Sequence, residues 1–210
     1  MYDQFIKGKS VTMGPGGRII VLEGLDKSGK TTQARLLHDY LNNKRPGQAE
    51  LLSFPDYTTK IGQEIRSFLD GKAEYNAETK HMLLSSNRWE KKEKILDSLK
   101  SGKTVILNRY YQSNLVYGLA NGLDFEWLSA LDRGMPKENV TIILDVSPHV
   151  SYLRSIANNF ILDEFEKSRE FLEKVRTNYL ELAKIFNWNV IYSENSTDIV
   201  FKSILEIIGE

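Results

Sequence analysis

A glycine-rich turn carries the clearest chemical signature in this sequence. Residues 24–31 read GLDKSGKT, which fits the pattern of a glycine, any four residues, a second glycine, a lysine and a serine or threonine. In such a turn the glycines allow successive backbone N–H groups to point at a phosphate, and the following helix N-terminus adds about half a positive charge. The pattern therefore predicts a phosphate site in which Lys30 reaches the β and γ phosphates and the Thr31 hydroxyl ligates Mg²⁺.

The residues on either side of the turn support this interpretation. The apolar stretch 19–22 leads into it as a strand, and residues 32–37 lead out of it as a good helix. The alternative is a glycine-rich strand-to-helix turn with a solvated lysine, which the agreement of pattern and context disfavours. We therefore expect the chain to bind a nucleoside triphosphate through these loop residues: Gly24, Leu25, Asp26, Lys27, Ser28, Gly29, Lys30, Thr31 and Thr32.

Composition narrows the reactions that such a loop can serve, since GTPases, motor ATPases and small-molecule kinases all use it. The sequence holds no Asn-Lys-x-Asp motif for reading guanine, which disfavours a GTPase. The 28 Lys+Arg balance the 28 Asp+Glu, which disfavours a helicase or a general nucleic-acid or membrane-surface binder. The absence of cysteine excludes a thiol nucleophile, a disulfide scaffold and a Cys-ligated zinc site.

Further polar and aromatic residues follow the other predicted strands, at the edge where open α/β sheets bind ligands. They lie in 54–59, FPDYTT, and in 108–118, NRYYQSNLVYG, with 85–90, SSNRWE, on a helical stretch. Arg109 is the best candidate, because an arginine fork binds phosphate through two hydrogen bonds, whereas the alternative is a surface ion pair. The Asn114 amide is suited to the edge of a base.

Several of these candidates have structural alternatives that the sequence leaves open. Arg88 suits either a ligand contact or an ion pair on a helix face. A nucleobase pocket or ordinary core packing would each account for four aromatic residues: Phe54, Tyr110, Tyr111 and Tyr117. Three histidines lack metal-ligand spacing, so no chemical role is expected for them: His38, His81 and His149.

The spacing of apolar residues predicts an α/β domain with a mainly parallel sheet. Five strands are expected, at Ile19–Leu22, Glu50–Phe54, Thr104–Leu107, Val140–Val146 and Trp188–Tyr192. Helices are expected between them at about 29–43, 60–71, 76–101, 111–133, 147–158, 164–186 and 196–209. The strands are too uniformly apolar for a one-sided sheet, so helices should cover both faces. The polar residues 1–17 are expected to form a flexible leader ahead of one domain, 18–210.

From about Arg18 to Glu210 the sequence resembles the thymidylate kinases, dTMP kinases of the P-loop nucleoside monophosphate kinase group. The resemblance rests on 22-LEGLDKSGKTTQ-33, 54-FP-55, 87-NRWE-90, Arg109-Tyr110 and 171-FLEKVRTNYLELAK-184. It implies a P-loop kinase fold, a five-stranded parallel sheet flanked by helices, with a mobile lid. The implied reaction is ATP + dTMP → ADP + dTDP with Mg²⁺, in dTTP biosynthesis. The implied setting is a cytoplasmic homodimer that binds ATP and dTMP, with no nucleic acid and no membrane.

The resemblance also implies roles for individual residues. Asp26 would accept a hydrogen bond from the deoxyribose 3′-hydroxyl, and Tyr57 and Arg109 would hold the acceptor phosphate. Arg88 and Asn114 would hydrogen-bond thymine, and Tyr117 would clash with a 2′-hydroxyl. The implied substrate site comprises Asp26, Phe54, Pro55, Tyr57, Leu84, Arg88, Arg109, Ser113, Asn114 and Tyr117. The implied catalytic cations are Lys30, Arg109, Lys27, Arg154 and Arg169, and the implied metal ligands are Thr31 and Glu166.

The lid of the family corresponds to about residues 154–170, so Arg154 and Arg169 are candidates for its ATP-clamping arginine. Three positions depart from the family pattern. Asn108 stands where an aspartate is usual, Leu84 where many members stack a phenylalanine on thymine, and Glu164 where the lid commonly has an arginine. Lys27 supplies a cation inside the loop, although without the fork geometry of arginine.

These departures keep two other functions open. Leu84 favours a kinase for another substrate, such as dUMP, UMP, CMP or a nucleoside. Asn108 and Glu164 instead favour a catalytically weak nucleotide-binding protein. Release of ADP with each monophosphate separates the two kinases, whereas ATP binding without product would indicate the third function.

Overall fold

A computed structural model describes residues 16–157 and 168–210 of the chain. Its centre is a sheet of five parallel strands in the order β2-β3-β1-β4-β5. The strands are β1 Arg18–Glu23, β2 Ala49–Ser53, β3 Thr104–Asn108, β4 Val140–Asp145 and β5 Asn189–Tyr192. All five lie at or within a residue or two of the positions predicted from their β-branched runs, and the parallel sheet is confirmed.

The central strand shows why this sequence forms a sheet that is buried on both sides. Successive side chains of a strand point to opposite faces. Accordingly, Ile20 and Leu22 pack into one core cluster, whereas Ile19 and Val21 pack into another, and all four are fully buried. Strand β1 pairs with β3 on one side and with β4 on the other. The middle of the sheet is therefore rigid up to its carboxyl end, where the chemistry-bearing residues begin.

Helices cover both faces of the sheet. In the described residues they are α1 Lys30–Lys44, α2 Lys60–Leu69, α3 Ala77–Trp89, α4 Lys92–Lys100, α5 Tyr111–Ala120, α6 Phe125–Leu131, α7 Pro148–Ala157, α8 Arg169–Phe186 and α9 Thr197–Ile208. Several begin where a short polar side chain accepts a hydrogen bond from a first-turn N–H. These capping residues are Thr59, Asn76, Asp124, Ser168 and Ser196. No helix of the described residues is long and apolar enough to cross a membrane.

Two helices predicted as continuous are each two helices in the structure. The predicted helix 111–133 breaks after α5, where Gly122 has φ 81° and Asp124 caps the next helix. The predicted helix 76–101 breaks between α3 and α4. Neither Gly nor Pro marks this second break; instead Lys91 ion-pairs with Asp56 across 2.7 Å, and Glu90 accepts a hydrogen bond from Thr59. Long-range contacts therefore override a helical pattern at this point.

The predicted leader lies almost entirely in residues 1–15, outside the described part of the chain. Most of the predicted lid, 158–167, lies outside it as well. The described fold brings the loop before α1, the end of β3 and helices α3, α5 and α8 to one edge of the sheet. Helix α5 packs against both α3 and α8 there.

Candidate active site

The predicted phosphate loop joins β1 to α1 and has the backbone of an anion-binding turn. Gly24, Lys27 and Gly29 all have positive φ, at 136°, 57° and 97°. A Cβ at Gly24 would lie 2.4 Å from the Leu144 carbonyl oxygen, so only glycine fits this close approach to β4. Gly29 caps α1 without a side chain. The first-turn N–H groups of α1 are therefore left to bind an anion.

Lys30 lies inside this turn, almost fully buried. Its ammonium donates hydrogen bonds to the carbonyl oxygens of Gly24 at 3.1 Å and Leu25 at 2.6 Å. Burial, with Arg109 nearby, lowers the pKa of Lys30 to about 7. The turn thus holds a buried amine whose charged form is disfavoured, and a bound phosphate would stabilise that charged form.

Beside the loop lies a cleft that encloses about 610 Å³ of empty space, part of it open to solvent. Its walls come from the loop, the end of β2, helix α3, the end of β3 and helix α5. All ten residues of the predicted substrate site line this one cleft, and Leu69 and Tyr110 complete it: Asp26, Phe54, Pro55, Tyr57, Leu84, Arg88, Arg109, Ser113, Asn114 and Tyr117.

Arg109 connects the cleft to the phosphate loop. It follows the last residue of β3 and has φ 66°, an unusual conformation for a residue with a side chain. Its guanidinium donates to Asp26 at 2.7 Å and to Ser113 at 3.0 Å, and it lies 5.5 Å from the centre of the Tyr117 ring. Burial opposes the charge, but the Asp26 carboxylate together with Tyr117, Tyr179 and Glu23 more than offsets this and raises the pKa of Arg109.

Asp26 is the anionic member of this group. Burial by itself would raise the pKa of the Asp26 carboxyl, but Arg109 and Lys30 beside it lower that pKa to about 2. The carboxylate is therefore ionised at neutral pH and well below it. It lies at the boundary between loop and cleft, where it accepts a hydrogen bond from Arg109.

A buried carboxylate, Glu23, holds the Arg109 region from behind, and the sequence did not mark it as a candidate. Glu23 is fully buried at the end of β1. It accepts hydrogen bonds from the backbone N–H of Tyr110 at 2.8 Å, the Ser113 hydroxyl at 2.6 Å and the Tyr179 hydroxyl at 2.8 Å. Tyr179 belongs to α8, so this network connects the helix that follows the predicted lid segment to the residues around Arg109. A strand ending in glutamate directly before the glycine-rich turn was the available signal.

Arg88 lines the cleft and also forms a buried ion pair with Asp132. Its side chain is almost completely buried and binds Asp132 through two hydrogen bonds, from Nε at 2.9 Å and from Nη2 at 2.7 Å. The ion pair joins α3 to the end of α6, so it is not the helix-face pair considered from the sequence. Arg88 nevertheless lines the cleft, and Nη1 is the part of its fork that these two bonds do not use.

The remaining cleft walls are aromatic and apolar. Phe54 precedes Pro55 through a cis peptide bond, and its ring centroid lies 6.1 Å from that of Tyr110. Tyr110 is fully buried and its hydroxyl donates to the Pro136 carbonyl, so core packing accounts for it. Tyr111 is directed elsewhere, to Glu138, and does not line the cleft. Leu84 also lines the cleft, and its aliphatic side chain has no aromatic ring.

The other predicted catalytic and metal residues are placed as follows. Arg154 of α7 donates to the Lys27 carbonyl and to the Ser193 carbonyl, both at 3.0 Å, so it braces the loop backbone. Arg169 is mostly exposed and lies 3.9 Å from Glu173 within α8. Glu166 lies outside the described residues. In the ranges 16–157 and 168–210, no three acidic or histidine side chains gather as a metal site of their own.

Comparison with known proteins agrees with this geometry. A family model described as thymidylate kinase matches residues 22–204. The chain is 41% identical to the thymidylate kinase of Schizosaccharomyces pombe over 81% of this chain and 79% of the relative. It is 37% identical to that of Arabidopsis thaliana over 92% and 72%. A solved thymidylate kinase from Candida albicans superposes with a TM-score of 0.81 at 30% identity, covering 92% of each chain. The sheet order, the loop and the cleft, together with these matches, place the chain in the thymidylate kinase family, whose members are phosphotransferases.

Proposed function

We propose that the protein transfers the γ-phosphoryl group of ATP to dTMP and so produces dTDP. The observation that carries this proposal is the position of Arg109. Its guanidinium contacts Asp26 of the phosphate loop and also lines the adjacent cleft. A nucleotide in the cleft would therefore have its phosphate beside the loop that holds the phosphates of ATP.

The chemistry requires charge neutralisation more than a base. The acceptor is a phosphate monoester with a second pKa of about 6, so at neutral pH it is already largely dianionic and nucleophilic. Two anionic groups must approach in line, and Lys30 and Arg109 lie on the two sides of that approach. Catalysis then consists of positioning and electrostatic stabilisation. Lys27, Arg154 and Arg169 remain proposed contributors, with the lid closing over both nucleotides to exclude water.

Mg²⁺ fits the residues at the start of α1. Thr31 is exposed there, and its hydroxyl accepts a hydrogen bond from Asn108 Nδ2 at 3.2 Å. Within the described chain the side-chain amide oxygen of Asn108, Oδ1, is buried and accepts no hydrogen bond. Mg²⁺ prefers oxygen ligands and is commonly held by few protein groups together with phosphates. Thr31 would ligate it directly and Asn108 through a bound water, with Glu166 as the proposed acidic residue; the ion would neutralise phosphate charge.

The cleft also provides groups for the nucleoside. Asp26 is ionised and accepts hydrogen bonds, which suits the 3′-hydroxyl of deoxyribose. Tyr117 is buried in the cleft with its ring centre 5.5 Å from the Arg109 guanidinium, and there it would clash with a ribose 2′-hydroxyl. Asn114 and the Nη1 group of Arg88, from two different helices, would hydrogen-bond the base. Phe54, Pro55, Leu84 and Ser113 line the cleft, and Tyr57, which also lines it, would contact the acceptor phosphate.

A panel of acceptors tests the proposed reaction. ADP release with ATP–Mg²⁺ is measured for dTMP, dUMP, UMP, CMP and thymidine, and without any acceptor. We expect the highest kcat/KM with dTMP and little ATP hydrolysis alone. The Candida albicans thymidylate kinase is described as having broad substrate specificity, and Leu84 lacks the ring that would stack on thymine, so dUMP is the main competitor. Fast ATP hydrolysis without an acceptor, or ATP binding without any product, would contradict the proposal.

We also propose that the protein acts in the cytoplasm as a homodimer and engages neither nucleic acid nor membrane. The balanced charge supports the last two statements. Family membership supports the dimer. Sedimentation equilibrium at micromolar concentration measures the state directly, and a mass of one chain, 24.1 kDa, would contradict it.

A further inference from the structure

Behind the cleft, three residues form a hydrogen-bonded series in which His81 and Asn114 are buried and Asn121 is exposed. Of the three, only Asn114 was marked as functional from the sequence. His81 of α3 is fully buried. Its Nδ1 lies 2.7 Å from Asn114 Oδ1, and its Nε2 lies 3.2 Å from Asn121 Nδ2. Asn114 Nδ2 in turn donates to the backbone carbonyl of His81 at 3.3 Å. Only Asn114 of these three lines the cleft.

The hydrogen-bond partners determine which atoms donate and which accept in this hydrogen-bonded series. The His81 carbonyl can only accept, so the Asn114 atom facing it is the amide nitrogen. Asn114 Oδ1 therefore faces the imidazole and accepts from Nδ1–H. The other ring nitrogen, Nε2, then carries the lone pair that accepts from Asn121. Burial lowers the pKa of His81 to about 4, so the ring stays neutral and keeps one proton.

These hydrogen bonds determine which donor and acceptor positions of the Asn114 amide remain for a ligand. An amide oxygen accepts two hydrogen bonds and an amide nitrogen donates two, and His81 uses one of each. One acceptor position and one donor position, in a fixed order, remain. Thymine and uracil present an N3–H donor beside the O4 acceptor, whereas cytosine presents an N3 acceptor beside the N4 amino donor. If the Asn114 amide cannot rotate by 180°, it complements the edge of thymine or uracil. Against the edge of cytosine it places donor against donor and acceptor against acceptor.

We propose that His81 is a specificity-determining positioning residue. It prevents the Asn114 amide from rotating by 180°, and the cleft therefore selects thymine or uracil nucleotides over cytosine nucleotides. This inference rests on the proposed function for the identity of the ligand. Reversing the amide would set Oδ1 against the His81 carbonyl and would require a change of the His81 tautomer. Without the imidazole, only the weaker bond to the carbonyl would oppose reversal.

The test compares dissociation constants of dTMP, dUMP and dCMP in three variants by calorimetry. For His81→Leu we expect the ratio of dCMP to dTMP dissociation constants to fall about tenfold, since the energy of one hydrogen bond is at stake. The ratio of dUMP to dTMP should stay within about twofold, because both bases share one edge. His81→Asn places an N–H donor where Nδ1 lies and should preserve both ratios. His38→Leu, a partly exposed site on α1, is the matched control.

Three results would overturn the inference. The first is an unchanged dCMP-to-dTMP ratio in a folded His81→Leu protein, and the second is a fall of the dUMP-to-dTMP ratio as large as that of the dCMP-to-dTMP ratio. The third needs no variant: a ¹⁵N-detected spectrum of the wild-type imidazole that shows Nε2, and not Nδ1, carrying the proton. If the wild-type protein fails to phosphorylate dTMP, the proposed function fails instead. Because binding and tautomer are measured apart from turnover, the two failures are distinguishable.

Discussion

Binding of ATP should transfer a proton from solvent to Lys30, and the structure gives the size of this effect. With a pKa of about 7 in the free protein, Lys30 is roughly nine-tenths neutral at pH 8. Triphosphate oxygens beside the ammonium favour its charged form and move its pKa back towards the ordinary lysine value. Binding at pH 8 should therefore take up about 0.9 proton per nucleotide, and at pH 6 only about 0.1.

Calorimetry measures this uptake as the slope of binding enthalpy against the ionisation enthalpy of the buffer. A non-hydrolysable ATP analogue with Mg²⁺ avoids turnover, and its phosphates are already ionised at pH 8. Lys30→Met should lose the uptake, whereas Lys202→Met, at an exposed site on α9, should retain it. Uptake near zero at pH 8 in the wild-type protein, or full uptake in Lys30→Met, would refute the electrostatic account of the loop.

Three further perturbations test separate parts of the site. Arg109→Met should lower kcat/KM for dTMP about 10³-fold, because arginines that neutralise phosphoryl transfer contribute at least this much; near-wild-type turnover would contradict its role. Asn108→Asp should lower the Mg²⁺ concentration for half-maximal rate several-fold, since a carboxylate binds a hydrated Mg²⁺ better than an amide, and an unchanged Mg²⁺ titration would argue against a metal near Thr31. Asp132→Ala leaves Arg88 charged and buried without its partner, so the free energy of unfolding should fall by about 3 kcal/mol in urea denaturation; a loss below about 1 kcal/mol would show that the pair is dispensable.

Local patterns predicted the strands and the phosphate loop well. Each strand is a short β-branched run that both faces of the sheet bury, so composition alone marks it. The loop is equally local, since Gly24 and Gly29 are required by the backbone itself and Lys30 follows at a fixed distance. The cleft could be predicted as well, because ligands bind beyond the carboxyl ends of parallel strands, and the segments after β2 and β3 meet at that edge of the sheet.

Contacts between distant segments explain what the sequence did not predict. The break between α3 and α4 depends on the Lys91–Asp56 ion pair, whose partners are far apart in the chain. Glu23 and His81 look like ordinary polar residues until α5 and α8 are packed around them. The Arg154 side chain donates a hydrogen bond to the Lys27 carbonyl of the loop, and a helical sequence pattern does not predict this contact.

The account depends on one arrangement, in which the loop before α1 holds ATP while Arg109 and Asp26 hold the nucleotide that receives its γ-phosphoryl group. A crystal structure with dTMP and an ATP analogue–Mg²⁺ bound together tests it most directly. We expect the dTMP phosphate on the Arg109 guanidinium, its 3′-hydroxyl on Asp26 and the triphosphate along residues 24–32. Thymine bound away from Asn114 and Arg88, or a loop without phosphate, would contradict the account.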